Sequence, residues 1–137
     1  MTARPVLFAS LGALLLAACS QASIDARSGV KRGQVVYEKE CAQCHGTQGT
    51  GGGAASLGLG GPPPDLTGLS RRNDGHFPRE FVRRFVMGQL EKDNPDAAMP
   101  DFSDVGLQHV YPKGGADGEV LESDFNDLLT YLEAIQQ

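Results

Sequence analysis

Cys41-Ala42-Gln43-Cys44-His45 is the stretch on which the reading of this 137-residue chain turns. Two thiols three positions apart fall on neighbouring sides of one helical turn, and a histidine follows directly. A thioredoxin-like redox pair would need strands and a βαβ setting, and half of a zinc site would need further Cys or His at ligand spacing. The chain offers neither. No alternating apolar and polar run marks a strand, the third cysteine, Cys19, lies outside the domain, and His76 and His109 stand apart from one another.

By elimination the motif is read as a site of covalent haem attachment, in which each thiol bonds one vinyl group and the next residue, His45, reaches the iron. Composition agrees. With 40% hydrophobic residues, 7% aromatic and no Trp, the chain builds only a thin core, and a large prosthetic group used as filler suits its size. Twelve basic residues against 17 acidic ones give a net charge of −5, which argues against nucleic acid as a partner because phosphate binding needs a basic surface.

The N-terminus speaks to the compartment. Residues 1–18 carry Arg4, an apolar run from Val6 to Ala18 and small residues before Cys19. This run reads as a secretory signal, too short for a span of roughly 20 residues. Leu16-Ala17-Ala18-Cys19 resembles the bacterial lipobox, in which the cysteine is diacylated and becomes the mature N-terminus. Cleavage after Ala22 is the alternative and leaves a soluble protein without Cys19; an uncleaved anchor is the third reading. Lipidation of Cys19 together with the CxxCH motif uses all three cysteines. Removing residues 1–18 takes away Arg4 and no acid, so the mature net charge becomes −6. Residues 19–28, small and polar, are expected to form a flexible tether, with the domain covering 29–137.

Outward from the motif, Val35, Val36, Tyr37 and Cys41 predict an amphipathic helix over Val30 to Ala42, with Gly33 and Tyr37 one turn apart and Gly33 a candidate for close backbone approach. Thr47 to Pro63, rich in Gly and Pro, predicts a long loop; it holds no GxxxxGK[ST] and follows no strand, so it is not read as a phosphate cradle. Phe81, Val82, Phe85, Val86 and Leu90 predict a helix from Pro78 that ends near Gly88, with Arg79, Glu80, Arg83 and Arg84 on its other side. Glu91 to Pro100 and Ser103 to Gly118 are expected as loops. Phe125, Leu128, Leu129, Leu132 and Ile135 predict a last helix over about Ser123 to Ile135, set against Asp124, Asn126, Asp127 and Glu133. The expected fold class is all-α, three to four helices wrapped around one covalent haem with long loops.

Gly33-Gln34-Val35-Val36-Tyr37, then CxxCH-Gly46, then Pro64-Asp65-Leu66-Thr67-Gly68-Leu69, then Met99-Pro100, then Leu128-Leu129-Thr130-Tyr131-Leu132 resembles the single-haem class I cytochromes c of bacteria, over about Gly29 to Gln136. The resemblance implies that Cys41 and Cys44 hold the haem c, that His45 is the proximal ligand, and that Met99 is the distal ligand from a loop. It also implies that the Pro64 carbonyl accepts the ring proton of His45, that Leu66 packs on the haem, and that the Gly33/Tyr37 face crosses the last helix near Leu128 and Tyr131. Beside it stands the plain reading of methionine as core filler, which suits Met87 within its helix better than Met99 between Ala98 and Pro100. His76 and His109, read as exposed loop residues, are the alternative distal ligands. The long 47–63 loop, the segment from Ser103 to Val120 and the lack of a Trp to bond a propionate depart from the family pattern; Arg71 or Arg72 is the candidate for that bond, though adjacent arginines are more often solvated.

The expected function is one-electron carriage between donor and acceptor proteins of a respiratory chain, without a small-molecule substrate and without enzyme activity. The expected location is the periplasmic side of a bacterial membrane, tethered through a lipid on Cys19, or the soluble periplasm if Cys19 is lost. Two alternatives stand beside it. One is a permanent haem subunit of a periplasmic dehydrogenase or respiratory complex. The other is a five-coordinate haem enzyme or gas sensor, should Met99 not bind iron.

Overall fold

Helix α1 occupies residues 25–40 and buries Gly29, Gly33, Val36 and Tyr37, a spacing of four, three and one that lines up a single stripe. The structure, a computed structural model, describes residues 25–59, 61–91, 99, 100, 102 and 122–137. Residues 25–28 are already helical, so α1 reaches back into the segment expected as a tether; Ser28 closes that first turn by donating its hydroxyl to Asp25 O at 2.8 Å. The expected end at Ala42 resolves into a bend. The chain turns at Cys41 and continues as α2, Ala42–His45, while the hydrogen bonds Cys41 N to Tyr37 O and His45 N to Cys41 O, each 2.9 Å, carry the ladder across the break.

Helix α3, Arg79–Val86, stops two residues before the expected glycine. Gly88 takes φ 69°, Gly88 N donates to Phe85 O at 3.1 Å and Gln89 N donates to Arg84 O at 2.8 Å. This is the paired closure that satisfies the last carbonyls of a helix, and a left-handed residue there is cheapest as glycine. The buried stripe of α3 differs from the expected one. Val82 and Val86 enter the core, but Phe81 is 55% exposed and stacks on half-buried Phe85, ring centroids 5.9 Å apart. The stripe is turned because Arg79 and Arg83, expected to face solvent, are spent on the last helix.

That helix, α4, spans Glu122–Ala134 and buries Phe125, Leu128, Leu129, Tyr131 and Leu132. Acidic Glu122 and Asp124 sit in its first turn, where the helix dipole favours them. Arg79 Nη2 donates to Asn126 Oδ1 at 2.7 Å and to Thr130 Oγ1 at 3.1 Å, and its Nη1 pairs with Glu133. Arg83 forks onto the Glu122 carboxylate and lies over the Phe125 ring, 5.4 Å from its centroid. The segment over Ser103 to Val120 lies outside the described residues.

Helices α1 and α4 meet at Gly33. A Cβ there would lie 2.5 Å from the carbonyl carbon of Asp127 and 2.8 Å from the Cβ of Tyr131, so only hydrogen fits between the backbones. Next along the stripe, the Tyr37 and Tyr131 rings pack at 5.2 Å between centroids. Asp127, expected on the polar side of α4, is buried at this crossing, and Arg32 of α1 holds both its oxygens at 2.5 and 3.0 Å. The resulting core joins Val36 and Tyr37 to Val82 and Val86, to Phe102, and to the buried face of α4. The chain is helical, with no strand among the described residues, and thus all-α as expected.

Candidate cofactor site

The bend at Cys41 turns the CxxCH residues into a compact corner. Tyr37, fully buried, donates its hydroxyl to Gly46 O at 2.6 Å, tying α1 to the residue after His45. Gly51 N donates to His45 O at 2.8 Å and Gly53 N to Cys44 O at 3.0 Å, so the glycine-rich loop folds back over the corner. This is a role for that loop which its composition alone did not reveal. Cys41 and Cys44 are both free thiols and partly buried, and Cys41 packs against the apolar core. Burial, with Glu40 and Cys44 adding to it, pushes the Cys41 thiol up to about 12. A thiol held this high stays protonated at neutral pH.

His45 is 8% exposed. Its Nδ1 lies 3.3 Å from Pro64 O, and because a carbonyl only accepts, this hydrogen bond exists in the tautomer with the proton on Nδ1. The Nε2 lone pair is then left for a metal. Burial lowers the pKa of His45 while the Pro64 carbonyl pulls the other way, and the net shift is downward, which favours the neutral, ligating imidazole.

The loop that carries Pro64 is anchored at several points. Leu66 N donates to Gly49 O at 2.7 Å, and Asp65 Oδ1 accepts from Thr67 N at 2.8 Å and from Thr67 Oγ1 at 2.6 Å. These bonds to Thr67 hold the Asp65 carboxyl below its ordinary range. Gln136, which no sequence pattern singles out, reaches across from just beyond the end of α4. Its Nε2 donates to Leu66 O at 2.8 Å and to Leu132 O at 2.6 Å, and its Oε1 accepts from Ser70 N at 2.8 Å.

Leu66 and Met99 are both half-buried and pack against the core cluster. Met87, at the end of α3, does so as well, so burial alone does not separate the two methionines. His76 is exposed in a surface turn, with Nδ1 3.0 Å from Asp74 O. Arg72 donates to Asp65 O at 2.5 Å, and both Arg71 and Arg72 are exposed. His109 and Cys19 lie outside the described residues. No group of three or more His, Cys, Asp or Glu that could hold a metal ion occurs among the described residues.

Two thiols three positions apart on one corner, a buried neutral imidazole with one nitrogen committed, and thioethers against the same apolar core form a donor set that fits a covalent haem rather than a bare metal ion. Residues 30–136 match the sequence family described as Cytochrome c, and the chain belongs to that family. It is therefore a haem-binding electron-transfer protein, and the cofactor of its family is haem c in covalent linkage. No curated protein and no solved structure matches the chain.

Proposed function

We propose that this cytochrome c is a class I carrier with one haem c, bonded to Cys41 and Cys44 and ligated by His45 and Met99. It passes single electrons between donor and acceptor proteins of a respiratory chain. The observation that carries the reading is the buried His45 ring, whose Nδ1 meets the Pro64 carbonyl at the CxxCH corner.

When bound, haem c supplies an iron that takes up and gives off one electron at a time. The chain's residues set the conditions for that exchange. The Pro64 carbonyl holds the Nδ1 proton on His45, which fixes the ring's orientation and basicity. Met99 offers a soft thioether, which favours the reduced state and raises the potential. Leu66, packed against the core, would lie against the macrocycle and keep water from it.

We further propose that residues 1–18 are a lipoprotein signal, that Cys19 is acylated, and that residues after it link the lipid to the domain on the periplasmic face of a bacterial membrane. The Leu-Ala-Ala-Cys stretch at 16–19 supports this. Several acyl chains on one cysteine anchor a protein far more firmly than a single myristoyl group.

Optical spectra of the haem-loaded protein test the ligand set. The weak far-red sulfur-to-iron band in the ferric form, with no carbon monoxide binding to the ferrous form, is expected for His45/Met99 ligation. Ready binding of the gas without that band replaces the carrier by an open-site enzyme or sensor. Cys19→Ala is expected to move the protein from membrane to soluble fractions, and unchanged membrane attachment would overturn the lipid tether.

A further inference from the structure

The Leu66 backbone is held at both its N–H and its carbonyl. Its N–H donates to Gly49 O, in the loop folded over the CxxCH corner, and its carbonyl accepts from Gln136 Nε2 at 2.8 Å. Gln136 also accepts from Ser70 N, so one side chain holds the loop 64–70 at two points four residues apart. Both hydrogens of its amide are used, and so is the oxygen: the oxygen faces an N–H, and the nitrogen faces the two carbonyls of Leu66 and Leu132. A flipped amide would set oxygen against both carbonyls, so the orientation is decided by its surroundings. Two residues upstream of Leu66 is Pro64, whose carbonyl meets His45 Nδ1 at 3.3 Å, a long hydrogen bond that small loop displacements would break. The next residue makes a further tie, Gln137 N to Thr67 O at 2.9 Å.

We propose that Gln136 is a positioning residue for the haem ligand: by clamping the 64–70 loop to α4 it keeps the Pro64 carbonyl on His45 Nδ1. This rests on the reading of His45 as the iron ligand. The C-terminal end of the chain thereby reaches the electronics of the iron through one side chain and one loop, without touching the histidine. Gln136→Glu separates the two halves of the clamp, because a carboxylate still accepts from Ser70 N but has no hydrogen to give Leu66 O.

The test is hydrogen–deuterium exchange of the His45 Nδ1 proton, followed by nuclear magnetic resonance in the reduced, diamagnetic holoprotein. Arg79→Ala serves as the control, since it loosens the α3–α4 contact away from this loop. Gln136→Ala and Gln136→Glu are both expected to speed exchange about tenfold or more, as loss of loop hydrogen bonds implies, with Arg79→Ala within about twofold of wild type. Unchanged exchange in both Gln136 variants, or an equal rise in Arg79→Ala, overturns the proposal. A wild-type His45 ring without the large upfield shift of an iron-bound imidazole overturns the ligand reading itself. Wild-type ligation with indifferent Gln136 variants overturns the clamp alone.

Discussion

Replacing Gly33 by alanine would put a methyl carbon 2.5 Å from the carbonyl carbon of Asp127 and 2.8 Å from the Cβ of Tyr131. Ordinary carbon contacts need about 3.5 Å, so α1 and α4 must part by roughly 1 Å. The atoms in the way are mostly α4 backbone, which cannot swing aside as the end of a flexible side chain would. Parting the helices loosens the Tyr37–Tyr131 contact and the Arg32–Asp127 pair that flank the glycine. Overpacking of this kind costs about 3 kcal/mol, against which replacing a mid-helix glycine by alanine returns about 1 kcal/mol. The expected net loss is about 2 kcal/mol. With a urea m-value of about 2 kcal/mol/M, the unfolding midpoint of the holoprotein, followed by far-ultraviolet circular dichroism, falls by about 1 M. Lys31→Ala, at an exposed position of the same helix, is the control and should stay within about 0.5 kcal/mol of wild type. A Gly33→Ala midpoint equal to or above wild type would refute the close crossing, because an unobstructed helix face gives only the propensity gain.

Tyr37→Phe removes the hydroxyl that holds Gly46 O and should cost about 1 kcal/mol in the same urea titration, since the half-buried acceptor loses its partner. Arg32→Ala should destabilise more than Asp127→Asn, because it leaves a buried carboxylate without its cation, whereas the exposed guanidinium simply rehydrates; equal losses would contradict the burial of Asp127. The Arg83 guanidinium, by its hydrogen bond, holds the Glu122 carboxyl below its ordinary value of 4.5. A folded-state value lowered in this way stabilises the fold above 4.5, and the contribution is lost as pH falls through the depressed value. Glu122→Gln should therefore be less stable than wild type at pH 7, with the gap closing under strongly acidic conditions; a gap that persists there would show that charge is not its source.

Much of the architecture was open to reading because it depends on neighbours in the chain. The spacing of Val36, Tyr37 and Cys41 marks one face of α1, although Val35, expected with them, is 45% exposed, and the spacing of Phe125, Leu128, Leu129 and Leu132 marks one face of α4. Gly88 announced the end of α3 because a left-handed closing residue is cheapest as glycine. The misplaced charges share one origin. Charge places Arg79, Arg83 and Asp127 on the polar sides of their helices, yet each faces a neighbouring helix because an oppositely charged or hydrogen-bonding group waits there. Apolarity places Phe81 in the core, and it is exposed because the arginines take the adjoining stripe.

The sequence by itself determined the thiol and histidine spacing of the Cys41–His45 motif, the helical class of the fold and the approximate helix limits, all set by covalent spacing or by contacts within a turn or two. Only the tertiary structure decided that Arg32 pairs with Asp127, 95 residues away, and that Gln136 reaches Leu66 across 70. Pairs so distant leave no periodic mark on one sequence, because what brings them together is the burial of helix faces against each other and not any local preference of the residues that meet.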